Sequence, residues 1–227
     1  MTDSVAQAAF KIIPGFAIPF AEVELPDASA LNQQLRALFL EREGQGSAYR
    51  NPSPTMKMLP QVFESRFDLF HWTDPCVVAL RGFCNAALFK IVAELNGYGN
   101  QDIAELRMSV DAWFHITRAG GAFGLHNHPM ASWSGVYCVD SGYGTAEPES
   151  GELNFMHPAA TAGMFVDLGV ANVRSPWAIH PKSYRLRPGQ LVLFPSWVLH
   201  QVLPYYGQRE RVTVAFNVWF RKTRKEE

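Results

Sequence analysis

The residues of this 227-residue chain best placed to do chemistry are three histidines and an arginine. His126 and His128 stand two apart in GLHNHPM, so in an extended segment both imidazoles project to one face. Two imidazoles on one face can share a metal ion, and imidazole suits iron, zinc or copper. His200 closes the run GQLVLFPSWVLHQVLP, where a Pro-Gly turn leads into an apolar strand and then a loop whose end presents one histidine. Eleven residues later Arg211 opens RVTVAFNVWF, which alternates cleanly. Val212, Val214, Phe216, Val218 and Phe220 take one face; Arg211, Thr213, Ala215, Asn217 and Trp219 take the other. A guanidinium, a hydroxyl and an amide on one face of an apolar strand need partners there. Arginine grips a carboxylate at two points, and a neighbouring hydroxyl adds a further donor. The plainer alternative puts Arg211 at the strand mouth, solvated or paired with Glu210 or Asp167. The other histidines read as surface or hydrogen-bonded residues: His71 and His115 sit beside aromatics, and His157 and His180 precede prolines.

The elements that must position these groups are short strands. RMSVDAWFHIT alternates, with Met108, Val110, Ala112, Phe114 and Ile116 opposite Ser109, Asp111, Trp113, His115 and Thr117. Further strand-like runs are expected at 133–139, 152–156, 164–168, 190–194 and 211–220, separated by Gly- and Pro-containing segments. Short strands in succession without alternating helices predict an antiparallel sandwich or barrel. Two helices precede them. Asp27 is placed to cap the first, near 28–42, with a stripe at Leu31, Leu35 and Leu38. Thr73 or Asp74 caps the second, near 74–96, with Pro75 in its first turn and Gly97 at its end. Its stripe runs Val77, Leu80, Cys84, Leu88, Ile91, Leu95. Residues 10–25 read as extended, 43–62 as a loop, and RKTRKEE as a frayed end. The fold class expected is an all-β core with flanking helices: residues 1–103 supply a strand and helices that pack on a core formed by 104–227, one compact domain overall.

Composition narrows the classes. Hydrophobic residues at 48% against 18% charged support a sizeable core and argue against wholesale disorder. A net charge of −1 disfavours nucleic acid as a partner. No apolar run reaches the ~18 residues of a membrane span. Cys76, Cys84 and Cys138 are too few and scattered for a disulfide framework, so a reduced, cytoplasmic setting without a membrane is the expectation.

Taken in order, His-x-His-Pro, SGVYCV, GELNF, PGQLVLFPSWVLHQVLP and RVTVAFN resemble the 2-oxoglutarate/Fe(II) oxygenases of bacterial and phage type, in the superfamily that includes prolyl hydroxylases. The resemblance covers residues 107–220. It implies a double-stranded β-helix, the jelly-roll or cupin-like fold. It also implies Fe(II), 2-oxoglutarate as small-molecule cosubstrate, and O2, with substrate hydroxylation releasing succinate and CO2. Carried over, His126 is the first metal ligand, His200 the distal one, Arg211 the anchor of the cosubstrate's far carboxylate, and Thr213 the accompanying hydroxyl. The superfamily carries a carboxylate where this chain has His128. His128 is then a third ligand, or stands aside, or yields to a distant acid such as Asp140, Glu152 or Asp167; the same-face spacing favours the first. Tyr137 and Asn217 are candidates to touch the cosubstrate, against an ordinary core role. Trp113, Trp133, Trp197 and Trp219 either wall a dry pocket or are plain core, and the polar segment 141–151 is a lid or a surface hairpin. Two competing functions are a cupin-like three-histidine metalloenzyme that binds substrate directly, and a metal-containing binding module. The first does not require an arginine on the last strand. The prime substrate is not legible, and a homodimer stays open.

Overall fold

The computed structural model describes residues 11–13, 15–56, 59–142, 149–160 and 167–223. Its centre is a sandwich of two antiparallel sheets. The larger holds β1 (Ala21–Glu24), β2 (Val62–Glu64), β3 (Leu106–Thr117), β5 (Trp133–Asp140), β8 (Gln190–Pro195) and β10 (Arg211–Lys222) in the order β1-β8-β5-β10-β3-β2. The smaller holds β4 (Phe123–His126), β6 (Leu153–Phe155), β7 (Lys182–Tyr184) and β9 (His200–Val202) in the order β4-β9-β6-β7. Two helices, α1 (Ser29–Gly44) and α2 (Pro75–Asn96), contribute to the core on the larger sheet, and the short α3 (Asn100–Glu105) leads into β3.

Strand parity divides the larger sheet into two faces. One face carries Ala112, Phe114 and Ile116 from β3, Tyr137 and Val139 from β5, Leu191 and Leu193 from β8, and Val212, Val214, Phe216 and Val218 from β10. These pack in one cluster with Leu35 and Phe39 of α1 and Val77, Leu80, Cys84 and Leu88 of α2. The other face turns toward the smaller sheet, where Cys138, Val192 and Phe194 meet Leu153, Phe155 and Tyr184. Gly135 is required by this packing. A Cβ there would lie 2.2 Å from the ring of Phe216, its cross-strand partner.

Both helices form where expected, with differences at their ends. Asp27 does not cap α1. It sits at φ 52°, Ala28 takes the cap position, and no side-chain bond is made there. The buried line of α1 is Asn32, Leu35 and Phe39 rather than Leu31, Leu35 and Leu38. In α2, Asp74 holds the cap position without a side-chain bond, and Gly97 at φ 66° closes the helix with its N–H on the Ala93 carbonyl. The α2 stripe is buried through Leu88 and then passes to Val92, leaving Leu95 51% exposed. A 3.6-residue turn walks the contact line around the helix, so a spacing pattern drifts off the packed side. By length and apolar composition α2 could cross a membrane. No apolar run of that length is expected from the sequence; α2 is one, and its Val77, Leu80, Cys84 and Leu88 pack into the core.

Within the expected loop 43–62, α1 extends to Gly44, a 3-10 turn spans Gly46–Ala48, and β2 begins at Val62. His200 opens strand β9 instead of ending a loop. The expected strand 164–168 lies largely outside the described residues, as do 143–148 of the supposed lid and the end of the tail.

Candidate metal centre

His126 ends β4 and His200 begins β9, and the two strands pair with these residues opposite each other. His128 follows two residues beyond the strand end, its N–H donating to the Ser196 carbonyl at 3.0 Å. The three imidazoles converge: ring centroids are 4.3 Å apart for His126–His200 and 5.1 Å for each pair with His128. One nitrogen from each lies within 4.8 Å of the others. The spacing expected of a shared ion is present before any ion is added.

Two backbone carbonyls orient the rings. His126 Nδ1 lies 2.6 Å from the Gly124 oxygen, and His200 Nδ1 lies 2.9 Å from the Val198 oxygen. Each contact places the ring proton on Nδ1 and leaves Nε2 with a lone pair, the arrangement that metal-bound histidines use. Burial pushes His128 down to about 4 and His200 down to about 3, with His126 adding to both shifts. Neutral imidazole is the form that binds a metal. The donor set therefore fits an Fe(II)-type ion.

None of the distant acids approaches. Asp140 is engaged with Arg36 at 3.0 Å and Arg209 at 3.2 Å, and Asp167 accepts from the Gly169 N–H. Glu152 also lies outside the cluster. Among the described residues the histidines alone form a metal-ligating group.

Arg211, 2% exposed, shares a pocket with all three histidines. Register explains its place. Arg211, Thr213 and Ala215 of β10 stand across from Thr117, His115 and Trp113 of β3, all on the face turned to the smaller sheet. The Arg211 Nη1 is 3.5 Å from the Thr213 hydroxyl. The strand-mouth alternative does not hold, since Glu210 pairs with Arg36 at 2.7 Å. Trp113, Phe123 and Phe194 line the same pocket.

Two expected contacts fall elsewhere. Tyr137 is fully buried, but on the helix-facing side. It pairs with Val214, and its hydroxyl donates to Asn32 Oδ1 at 2.7 Å. Parity carries it away from the pocket, so it does not touch a cosubstrate there. Asn217 keeps the pocket-facing parity, but its Oδ1 accepts from Ser134 at 2.7 Å, and Ser134 in turn meets Ser196 at 2.8 Å. It stands behind the wall. Of the tryptophans only Trp113 lines the pocket; Trp197 is 53% exposed, and Trp133 packs against the helix-side cluster.

A further pair was not anticipated. β2 places Glu64 opposite His115, both buried. Glu64 Oε2 lies 3.1 Å from His115 Nε2, whose N–H donates to this ionised carboxylate, and the Trp113 indole nitrogen lies 3.0 Å from the same ring nitrogen. Burial alone would push the Glu64 carboxyl up, but His115, the Asn51 amide and the Thr55 N–H outweigh it and hold it at about 2. Asn51 and Thr55 favour the ionised form whatever the charge on His115. Burial pushes His115 down, with Glu64 opposing and Arg211 and His126 adding to the fall. The alternation of 108–117 already set His115 on the Trp113 face. Nothing local announces Glu64, which lies 51 residues away.

A family model described as "Putative 2OG-Fe(II) oxygenase" matches residues 111–217, the stretch that contributes the three histidines, Arg211 and Thr213. This segment belongs to the 2OG-Fe(II) oxygenase family. No curated protein sequence matches the chain. Among solved structures, a Pseudomonas putida prolyl-4-hydroxylase is similar at TM-score 0.55 and 18% identity, covering 88% of this chain and 92% of its own. A Trichoplax adhaerens prolyl hydroxylase, solved with a hypoxia inducible factor peptide fragment, is similar at TM-score 0.55 and 11% identity over 88% of this chain and 83% of its own. HygX from Streptomyces hygroscopicus, solved with nickel, 2-oxoglutarate and hygromycin B, is similar at TM-score 0.54 and 15% identity over 89% and 83%. At these identities the structures speak to the fold, a double-stranded β-helix, as the oxygenase resemblance implied.

Proposed function

We propose that this 2OG-Fe(II) oxygenase holds Fe(II) on His126, His128 and His200 and receives 2-oxoglutarate with its far carboxylate on Arg211 and Thr213, to hydroxylate a substrate. The observation that carries the reading is the convergence of three imidazoles and one buried guanidinium in a single pocket. Bound there, Fe(II) would supply the O2 chemistry that couples decarboxylation of the cosubstrate to oxidation of the substrate, with release of succinate and CO2. The chain's own groups do the rest. Gly124 and Val198 fix the rings of His126 and His200 through their carbonyls. Arg211 offers a planar two-point contact to a carboxylate, and Thr213 a hydroxyl beside it. Trp113, Phe123 and Phe194 keep water from the pocket. A ligand set without a carboxylate leaves the ion's full charge uncompensated by protein, which favours a dianionic cosubstrate. Three free, buried cysteines agree with a reducing, cytoplasmic setting.

Anaerobic Fe(II) titration with and without 2-oxoglutarate tests the reading. The expected result is stoichiometric binding and a metal-to-ligand charge-transfer band that appears with 2-oxoglutarate. His200→Ala should abolish stoichiometric Fe(II) binding. Full Fe(II) affinity in that variant, or no band in the wild type, would overturn the assignment.

A further inference from the structure

The Glu64–His115 pair is a buried ionisable unit in the wall of the site that the reading above does not use. His115 stands directly across from Thr213 in the β3–β10 register and lines the pocket that holds Arg211 and the metal-site histidines. Its Nε2 is engaged by Glu64 and Trp113. Nδ1 is thus the ring nitrogen without a protein partner among the described residues. Glu64 is held in turn from behind: Asn51 Nδ2 donates to Oε1 at 2.7 Å and the Thr55 N–H donates to the same oxygen at 3.1 Å. A buried carboxylate with three partners grips the imidazole as a fixed mount, not as a mobile surface pair. Glu64 lies in the N-terminal part of the chain, outside the 111–217 family match.

We propose that His115 is a second contact for the far carboxylate of 2-oxoglutarate, beside Arg211 and Thr213, and that Glu64 is a positioning residue acting through it. The inference rests on the cosubstrate site proposed above. A carboxylate seated on Arg211 and Thr213 comes within side-chain reach of a residue directly across from Thr213, since facing Cα atoms of an antiparallel pair are about 4.5–5.5 Å apart. That carboxylate and Glu64 then flank the imidazole on two sides. Nε2–H is already given to Glu64, so the contact needs a second proton, on Nδ1; the two flanking carboxylates favour it against the burial that pushes His115 down, and the resulting cation donates Nδ1–H to the cosubstrate. The charged groups that face His115 are Glu64 from β2 and Arg211 from β10, with His126 from β4 and His128 beyond it as the nearby titratable groups. The proton that completes the contact comes from solvent.

The test compares two 2-oxo acids on the anaerobic Fe(II)-loaded protein by calorimetric titration: 2-oxoglutarate, and 2-oxobutyrate, which lacks the far carboxylate. His115→Ala should raise the Kd for 2-oxoglutarate roughly 10- to 100-fold, the range for one hydrogen bond to a charged group. It should leave 2-oxobutyrate within about twofold, because that acid never reaches His115. Glu64→Gln should shift 2-oxoglutarate the same way by less, and His115→Gln, which keeps a side-chain donor, should recover part of the loss. Should the alanine variant fail to fold, His115→Gln decides, with the same selectivity expected at smaller size. Unchanged 2-oxoglutarate affinity overturns the inference. So does equal weakening of both acids, which would mean that His115 acts only through the metal or the fold. Arg211→Ala separates the two levels. If it weakens 2-oxoglutarate while the His115 variants do not, the inference fails and the cosubstrate site stands. If it changes nothing, the site and the inference fall together.

Discussion

The two faces of the larger sheet are made from alternate residues of the same strands, yet they do opposite work. On the helix-facing side Phe114 stacks on Phe39 with centroids 4.2 Å apart and planes 3° from parallel, and Phe70 meets Phe216 at 5.6 Å. That face is apolar packing, its Tyr137 hydroxyl satisfied by Asn32. The other face of β3 and β10 buries His115, Thr117, Arg211 and Thr213, polar groups that cost stability unless each finds a partner. The comparison teaches that one side of the sheet supplies the rigidity on which the other holds an expensive constellation in place. A slip of one residue in β10 would exchange the two sets, so the apolar side also sets the register of the site.

Substitutions on the two faces should therefore separate stability from binding. Phe114→Ala should have the largest effect on stability, about 3–5 kcal/mol, since it leaves a cavity under the Phe39 stack. Urea denaturation measures it, and the fraction still folded should bind Fe(II) with wild-type affinity. A weaker metal site in that fraction would break the division between the faces.

Arg211→Ala should show the reverse profile. 2-Oxoglutarate binding should weaken by about 2–5 kcal/mol with Fe(II) affinity largely retained, and the urea midpoint should move less than for Phe114→Ala. Arg211→Lys should rescue only in part, because an ammonium cannot make the planar two-point contact. Titrations of both variants check this; full rescue by lysine would remove the argument from guanidinium geometry.

Acid should weaken the metal-free protein through the site face alone. His128 at about 4 and His200 at about 3 lie below the 6.5 of an ordinary histidine, because burial disfavours their charged forms. Between those values the unfolded chain binds more protons than the folded one, so stability is full above pH 6.5 and drains as pH falls toward 4. Glu64, at about 2 against 4.5, continues the loss: its contribution is present above 4.5 and disappears as pH falls toward 2. Urea midpoints at about pH 7.5 and about pH 5 measure the slope, which His200→Phe should flatten and Phe114→Ala should leave alone. The smallest effect belongs to Trp197→Ala. This half-exposed ring sits outside both faces, and its loss should change stability by no more than about 0.5 kcal/mol in the same denaturation experiment.

Much of this arrangement was written in local pattern. A period of two placed His126 with His128, and Arg211 with Thr213 and Asn217. A period near 3.6, with Pro75 and Gly97 as punctuation, marked α2. These signals survive because each depends only on neighbours in the chain and on backbone geometry. Periodicity says which residues share a face. It does not say which face is inside, and in SGVYCV both sets are apolar or aromatic. The side taken by Tyr137 was decided only when β5 paired with β10 and set it opposite Val214. Glu64 shows the same limit more sharply. Three residues at the end of a Pro- and Ser-rich segment carry too little pattern to read as a strand, and become β2 by hydrogen-bonding to β3. Cross-strand partners are chosen by contacts between distant stretches of chain, so the residue types that could bind a metal were legible in the sequence. The groups standing behind them were decided by the packed structure.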